Sequence, residues 1–281
     1  LISLEYADVV MAASGHQAEE AKHQAMEKYK GQYILIVEGS IPTGADGAYC
    51  TIAGESAMVD CKKLVQNAAA TICVGSCSSF GGIPAAAPNP TNAVSVSSLM
   101  PGAAIINLPG CPVNATNLTA TIVHFMTFGK LPAVDRLGRP KFAYGKRIHD
   151  NCERRGHFDA GQYAEAFGDA AHRQGHCLYK LGCKGPESFH NCPTVRYNEG
   201  TSWPVMAGHG CIGCSEPGFW DTMSPFYRRL PKVPGFGIED TADKIGIGLA
   251  AATAVAFGVH GVASCFRKGD AMEEDKVVKE D

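Results

Sequence analysis

The sequence predicts an α/β protein in three parts: a parallel-sheet domain, an irregular domain organised by bound metal, and an apolar carboxyl-terminal helix. Three observations carry this. Apolar β-type runs recur in the first half with helical stretches between them; that alternation stops near residue 140; and six cysteines, with His149 as a further candidate donor, crowd the stretch from His149 to Cys214.

Leu1–Tyr6 alternates like a strand, and no secretory signal is visible ahead of it. The polar, alanine-rich Gln17–Lys30 reads as a helix. Three further strands follow at Tyr33–Val37, Ala70–Val74 and Ala104–Leu108, each ending in a small-residue loop: Glu38-Gly-Ser-Ile-Pro42, Gly75-Ser-Cys77 and Pro109-Gly-Cys-Pro112. Ala115–Phe128, with Leu118, Ile122 and Phe125 at helical spacing, makes another helix. Strand, loop, helix and strand in turn indicate a parallel sheet, whose ligands sit beyond the carboxyl ends of its strands. Cys77 and Cys111 stand there, as two donors to one side of a cluster.

From about 141 to 237, Pro, Gly, His and Cys dominate. A segment so poor in ordinary core needs another source of folding free energy, which bound metal supplies. The expected domains are therefore 1–140, 141–237 and 238–281. In the last, residues 245–266 hold no Asp, Glu, Lys or Arg, and roughly 20 apolar residues cross a bilayer. Arg267-Lys268 follows, so the positive-inside rule puts the carboxyl end in the cytoplasm and the main body outside. The competing reading is an Ala/Gly-rich helix packed on a partner. A net charge of −3 gives no support to nucleic-acid binding.

Twelve cysteines clustered beside His, Gly and Pro favour metal ligation over a disulfide scaffold. His149, Cys152, Cys177 and Cys183 form one His/Cys₃ set, which zinc also accepts. Cys192, Cys211 and Cys214 form a second with three thiols, short of a closed zinc site unless His209 completes it, and matched to a three-iron cluster. Cys50, Cys61 and Cys265 read as structural; Cys73, four residues before Cys77, is set apart from them, with alternation turning its side chain off the strand face that Cys77 uses. The remaining histidines, His190 among them, read as surface or packing residues. Arg154-Arg155 and Arg228-Arg229 read as solvated or partner-facing pairs.

At Val74-Gly-Ser-Cys-Ser-Ser-Phe-Gly-Gly82, Leu108-Pro-Gly-Cys-Pro112, Arg147-Ile-His-Asp-Asn-Cys152, Cys177-Leu-Tyr-Lys-Leu-Gly-Cys-Lys-Gly-Pro186 and Gly208-His-Gly-Cys-Ile-Gly-Cys-Ser-Glu-Pro217 the chain resembles the small, electron-transfer subunit of nickel–iron hydrogenases, closest to the membrane-bound uptake type. The resemblance runs over nearly the whole length. It implies a flavodoxin-like first domain with a proximal four-iron (4Fe-4S) cluster, for which Cys77 and Cys111 match two ligands. The other two belong to a Cys-x-x-Cys after the family's first strand, a motif absent at that place here and expected upstream. It implies a distal four-iron cluster on His149, Cys152, Cys177 and Cys183, and a medial three-iron (3Fe-4S) cluster on Cys192, Cys211 and Cys214. Pro204 falls where selenium-containing relatives tend to carry a fourth cysteine. Gly82 falls where oxygen-tolerant relatives carry an extra one, so a standard, oxygen-sensitive proximal cluster is expected. The implied partners are a large subunit holding the nickel–iron centre and a b-type cytochrome passing electrons to quinone, at the periplasmic face of the cell membrane. The alternative is the iron–sulfur subunit of another multi-subunit oxidoreductase.

Overall fold

The computed structural model describes residues 2–230 and 246–264. The chain divides into two compact units, the first ending at Arg229 and the second beginning at Leu230. The expected parallel α/β sheet is present in the first. Its strands are β1 (Ile34–Glu38), β2 (Ala70–Val74) and β3 (Ile105–Leu108), in the order β1-β2-β3 and all parallel.

The middle strand explains the layering. Every residue of β2 is buried, as a parallel strand covered on both faces requires. Ile72 and Val74 pack with Ile106, Leu108, Ala143 and Tyr144, against which Leu118 and Ile122 of the helix Ala115–Phe128 rest. Cys73, one residue out of phase, faces the opposite layer with Ile41, Cys61, Val65 and Val96. Period-two alternation thus fixes Cys73 as core, away from the carboxyl-terminal loops.

The helices of this unit include α1 (Gly15–Lys28), α2 (Ala57–Asn67), α3 (Gly75–Phe80) and α4 (Ala115–Phe128). Ser56 caps α2 by accepting from the Met58 amide at 3.3 Å, and Asn114 caps α4 by accepting from Thr116 at 3.0 Å. The side-chain amide of Asn114 also donates to the Arg196 carbonyl. Asn117 and Asn191 exchange two amide hydrogen bonds of 2.9 Å. These contacts bolt α4 to the segment leading into Cys192.

One expectation changes. Residues 2–6 form no strand: an extended segment becomes a strand through its ladder, and Ile2 and Leu4 here are exposed side chains without one. Beyond residue 140 the described chain of the first unit has only one-turn and short helices and isolated bridges, in keeping with the irregular segment expected there. In the second unit, α5 (Gly246–Ser264) is long and apolar enough to cross a membrane. Ile245, Cys265, Phe266, Arg267-Lys268 and the acidic residues before the helix lie outside the described residues.

Candidate metal centres

The ends of β2 and β3 are in register, Val74 opposite Leu108. Each is followed three residues later by a cysteine, which brings Cys77 and Cys111 to neighbouring positions at the carboxyl edge of the sheet. Burial, with a smaller contribution from Cys111, pushes the Cys77 thiol above its ordinary value. Gly82 has φ +60°, and a Cβ there would lie 2.4 Å from Cys77 Sγ. Backbone conformation and space therefore both select glycine beside this sulfur.

The second set is built from short turns. Ile148–Asn151 forms one helical turn that carries His149 and delivers Cys152, while Cys177 and Cys183 flank the turn Tyr179–Leu181. All four side chains line a single cavity, closed by Ile148, Leu178, Tyr179, Pro186 and Val205. The imidazole of His149 meets Phe158 edge-on at 4.6 Å. Burial lowers its pKa to about 4, helped by the Arg155 charge, which keeps the ring neutral and able to ligate. Burial raises Cys152 to about 11 and Cys177 to about 12. Thiolates in such a place need a cation, and metal supplies one. Among the described residues no three His, Cys, Asp or Glu side chains converge closely enough for a single ion. Three thiols and a neutral imidazole lining one buried cavity are a donor set that fits a cluster, each iron taking one donor.

Cys192 and Cys211 lie in one buried core with Ile148, Leu178, Trp203 and Val205, and Cys152 and Cys183 pack against it. The second and third sets therefore share a core. The Cys211 amide donates to Cys183 Sγ at 3.3 Å and the Gly213 amide to Cys211 Sγ at 3.3 Å; such amide–sulfur bonds are one lever on cluster potential. Gly210 makes this approach possible, because a Cβ there would meet Cys183 Cα at 3.0 Å. Burial raises the Cys192 thiol to about 12 and the Cys211 and Cys214 thiols above their ordinary value. His209 is engaged elsewhere, its Nδ1 2.8 Å from the Gly210 carbonyl and its ring stacked on Phe167.

Three residues that the spacing did not flag hold the sets together. Ser76 accepts from the Gly110 amide at 2.9 Å and donates to the Cys214 carbonyl, joining the segments of Cys77, Cys111 and Cys214. Buried Arg139 pairs with Asp135 at 2.8 Å and Glu216 at 2.9 Å, and donates to the Ser215 carbonyl at 3.0 Å. His190, only 1% exposed, brings Nδ1 to 2.9 Å from Cys192 Sγ. Only His190 left a sequence signal, its place two residues before Cys192. Arg154 corrects the reading of a solvated pair: it is buried, donates to the His176 carbonyl at 2.8 Å and lines the cavity of the His149, Cys152, Cys177 and Cys183 set. Cys50 is exposed rather than packed, and Cys265 lies outside the described residues. The eleven cysteines among the described residues are all free.

Comparison with known proteins divides along the same halves. Residues 1–125 match the family model for the NADH ubiquinone oxidoreductase 20 Kd subunit, and residues 144–227 match that for the C-terminal part of the NiFe/NiFeSe hydrogenase small subunit. The quinone-reactive Ni/Fe-hydrogenase small chain of Wolinella succinogenes is 52% identical over 275 residues, covering 95% of this chain and 77% of the relative. The chain belongs to the small-subunit family of nickel–iron hydrogenases.

The uptake hydrogenase small subunit of Azotobacter vinelandii is 51% identical, covering 95% of this chain and 75% of the relative. Among solved structures, the reduced, active Ni-Fe-Se hydrogenase from Desulfomicrobium baculatum superposes with a TM-score of 0.77 at 35% identity, covering 82% of this chain and 88% of that one. Hydrogenase small subunits carry iron–sulfur clusters and pair with a large subunit that holds the nickel–iron centre. The active site of the oxidoreductase is thus on the partner. The sheet domain alone leaves two oxidoreductase families open; the irregular segment decides for hydrogenase.

Proposed function

We propose that this small hydrogenase subunit passes electrons from hydrogen oxidation at the large subunit's nickel–iron centre through three iron–sulfur clusters to a b-type cytochrome and quinone. Cys77 and Cys111 hold one side of a proximal four-iron cluster in the sheet half, residues 1–140. In the irregular half, residues 141–237, Cys192, Cys211 and Cys214 hold a medial three-iron cluster, and His149, Cys152, Cys177 and Cys183 a distal four-iron cluster. When bound, such clusters supply one-electron redox steps over a wide range of potential.

The observation that carries this reading is the convergence of His149, Cys152, Cys177 and Cys183 on one cavity, with the Cys211 amide bonded to Cys183 Sγ. The chain's own residues then do four things. The thiols ligate, the apolar core excludes water, backbone amides stabilise charge on sulfur, and His149 supplies a neutral donor in place of a thiolate. Helix α5 supports attachment to a membrane, with the body of the protein on the periplasmic side. The name of the Wolinella relative supports quinone as the final acceptor.

The test is Cys152→Ala in the assembled heterodimer with the large subunit. Dye and quinone reduction should fall sharply while hydrogen-isotope exchange, which needs no electron exit, persists. Unchanged dye reduction would remove this set from the exit path.

A further inference from the structure

Cys192 opens a short helical turn, and the residue two places before it is a histidine that the ligand sets leave unused. His190 is 1% exposed. Its Nδ1 lies 2.9 Å from Cys192 Sγ, and its Nε2 has no hydrogen-bond partner among the described residues. The ring is held in place by Tyr144, which meets it edge-on at 4.8 Å and whose own hydroxyl donates to the Pro109 carbonyl at 2.7 Å.

A buried imidazole with one unpaired nitrogen is a poor packing residue, since an apolar ring of similar size would avoid that cost. The contact it does make has a defined polarity. A thiolate bound to iron can only accept a hydrogen bond, so the shared proton must sit on Nδ1. Tyr197 also lies near this sulfur, with its hydroxyl 4.0 Å away. That hydroxyl donates to the Pro112 carbonyl at 3.2 Å, so its proton is committed elsewhere.

We propose that His190 tunes the medial site, its Nδ1–H donating to Cys192 Sγ and raising the reduction potential of the three-iron group. The proposal rests on the three-iron reading of Cys192, Cys211 and Cys214. The sign follows from charge: a donor on the sulfur stabilises the more negative, reduced state. His190 is a positioning and tuning residue and not a ligand.

The test is a redox titration of the purified heterodimer, following the three-iron signal by electron paramagnetic resonance. His190→Phe should keep the signal but move its midpoint to a more negative value. The expected change is about tenfold in the reduction equilibrium, or about 59 mV for a one-electron couple. His190→Gln, which keeps a side-chain N–H, should recover part of the shift. Wild-type protein labelled with [¹⁵N]histidine should also show electron–nuclear coupling to a nitrogen that is not a ligand, which tests the contact even if His190→Phe fails to fold. An unshifted midpoint in His190→Phe, or no ¹⁵N coupling in the wild type, overturns the proposal. Loss of the signal in both variants overturns it as well, because His190 would then be structural. A wild type without any three-iron signal would instead overturn the cluster assignment, and this inference with it.

Discussion

At the scale of single residues, the chemistry rests on what replaces a thiolate and what supports one. His149→Cys adds a negative charge to the distal site, so its potential should fall and electron exit should slow. Hydrogen-isotope exchange at the partner's metal centre should stay intact; if it collapses together with dye reduction, His149 is not an exit ligand. Pro204→Cys should offer a fourth thiolate to the Cys192, Cys211 and Cys214 set and convert it to a four-iron form, removing the three-iron resonance of the oxidised protein. A signal persisting at full strength would show that Pro204 is not the open corner. Arg139→Met leaves Glu216 buried without its cation, which should cost about 3–5 kcal/mol; denaturant unfolding of the assembled complex checks this. The nine proposed donors stand out in the sequence because they fall at strand ends or beside His, Gly and Pro, inside motifs that resemble those of one family. Ser76 and Arg139 do not, because their meaning lies in carbonyls and carboxylates far along the chain, at Cys214 and Glu216.

At the scale of elements, the three strands could be read because a parallel strand buried on both faces is a continuous apolar run. Helix α4 could be read because Leu118, Ile122 and Phe125 share one face. Leu1–Tyr6 misled, since alternation describes a strand's faces and says nothing of whether a neighbour exists to pair with. The turns beyond residue 140 carry no periodicity at all; glycines set their paths. Gly210 is the sharpest case, and Gly210→Ala should force the Cys211 segment away from Cys183 at a cost of about 1–3 kcal/mol. The distal and medial resonances should broaden in that variant. Unaltered spectra and stability would mean the segment relaxes freely. Helix α5 makes a separate prediction. Ending the chain after Gly237 should release the complex from membranes with dye-linked hydrogen oxidation retained and quinone reduction reduced. Fractionation with both assays decides it, and a truncated complex that stays membrane-bound would make α5 a packing helix.

At the scale of the whole molecule, a sheet supplies two proposed thiol donors at paired strand ends, and an irregular segment supplies seven further proposed donors, of which Cys152, Cys183, Cys192 and Cys211 lie in or against one core. Ser76 and the Asn117–Asn191 pair tie the two halves together. On the proposed reading, metal groups stand in sequence from the partner's active site to the surface. The most direct test is metal analysis of the purified heterodimer, joined to electron paramagnetic resonance before and after exposure to hydrogen. Iron well in excess of zinc is predicted, together with a three-iron signal in the oxidised protein that hydrogen abolishes and signals of reduced four-iron clusters that it creates. Zinc in place of iron on this subunit, or a three-iron signal that hydrogen leaves unchanged, would contradict an electron path through this chain.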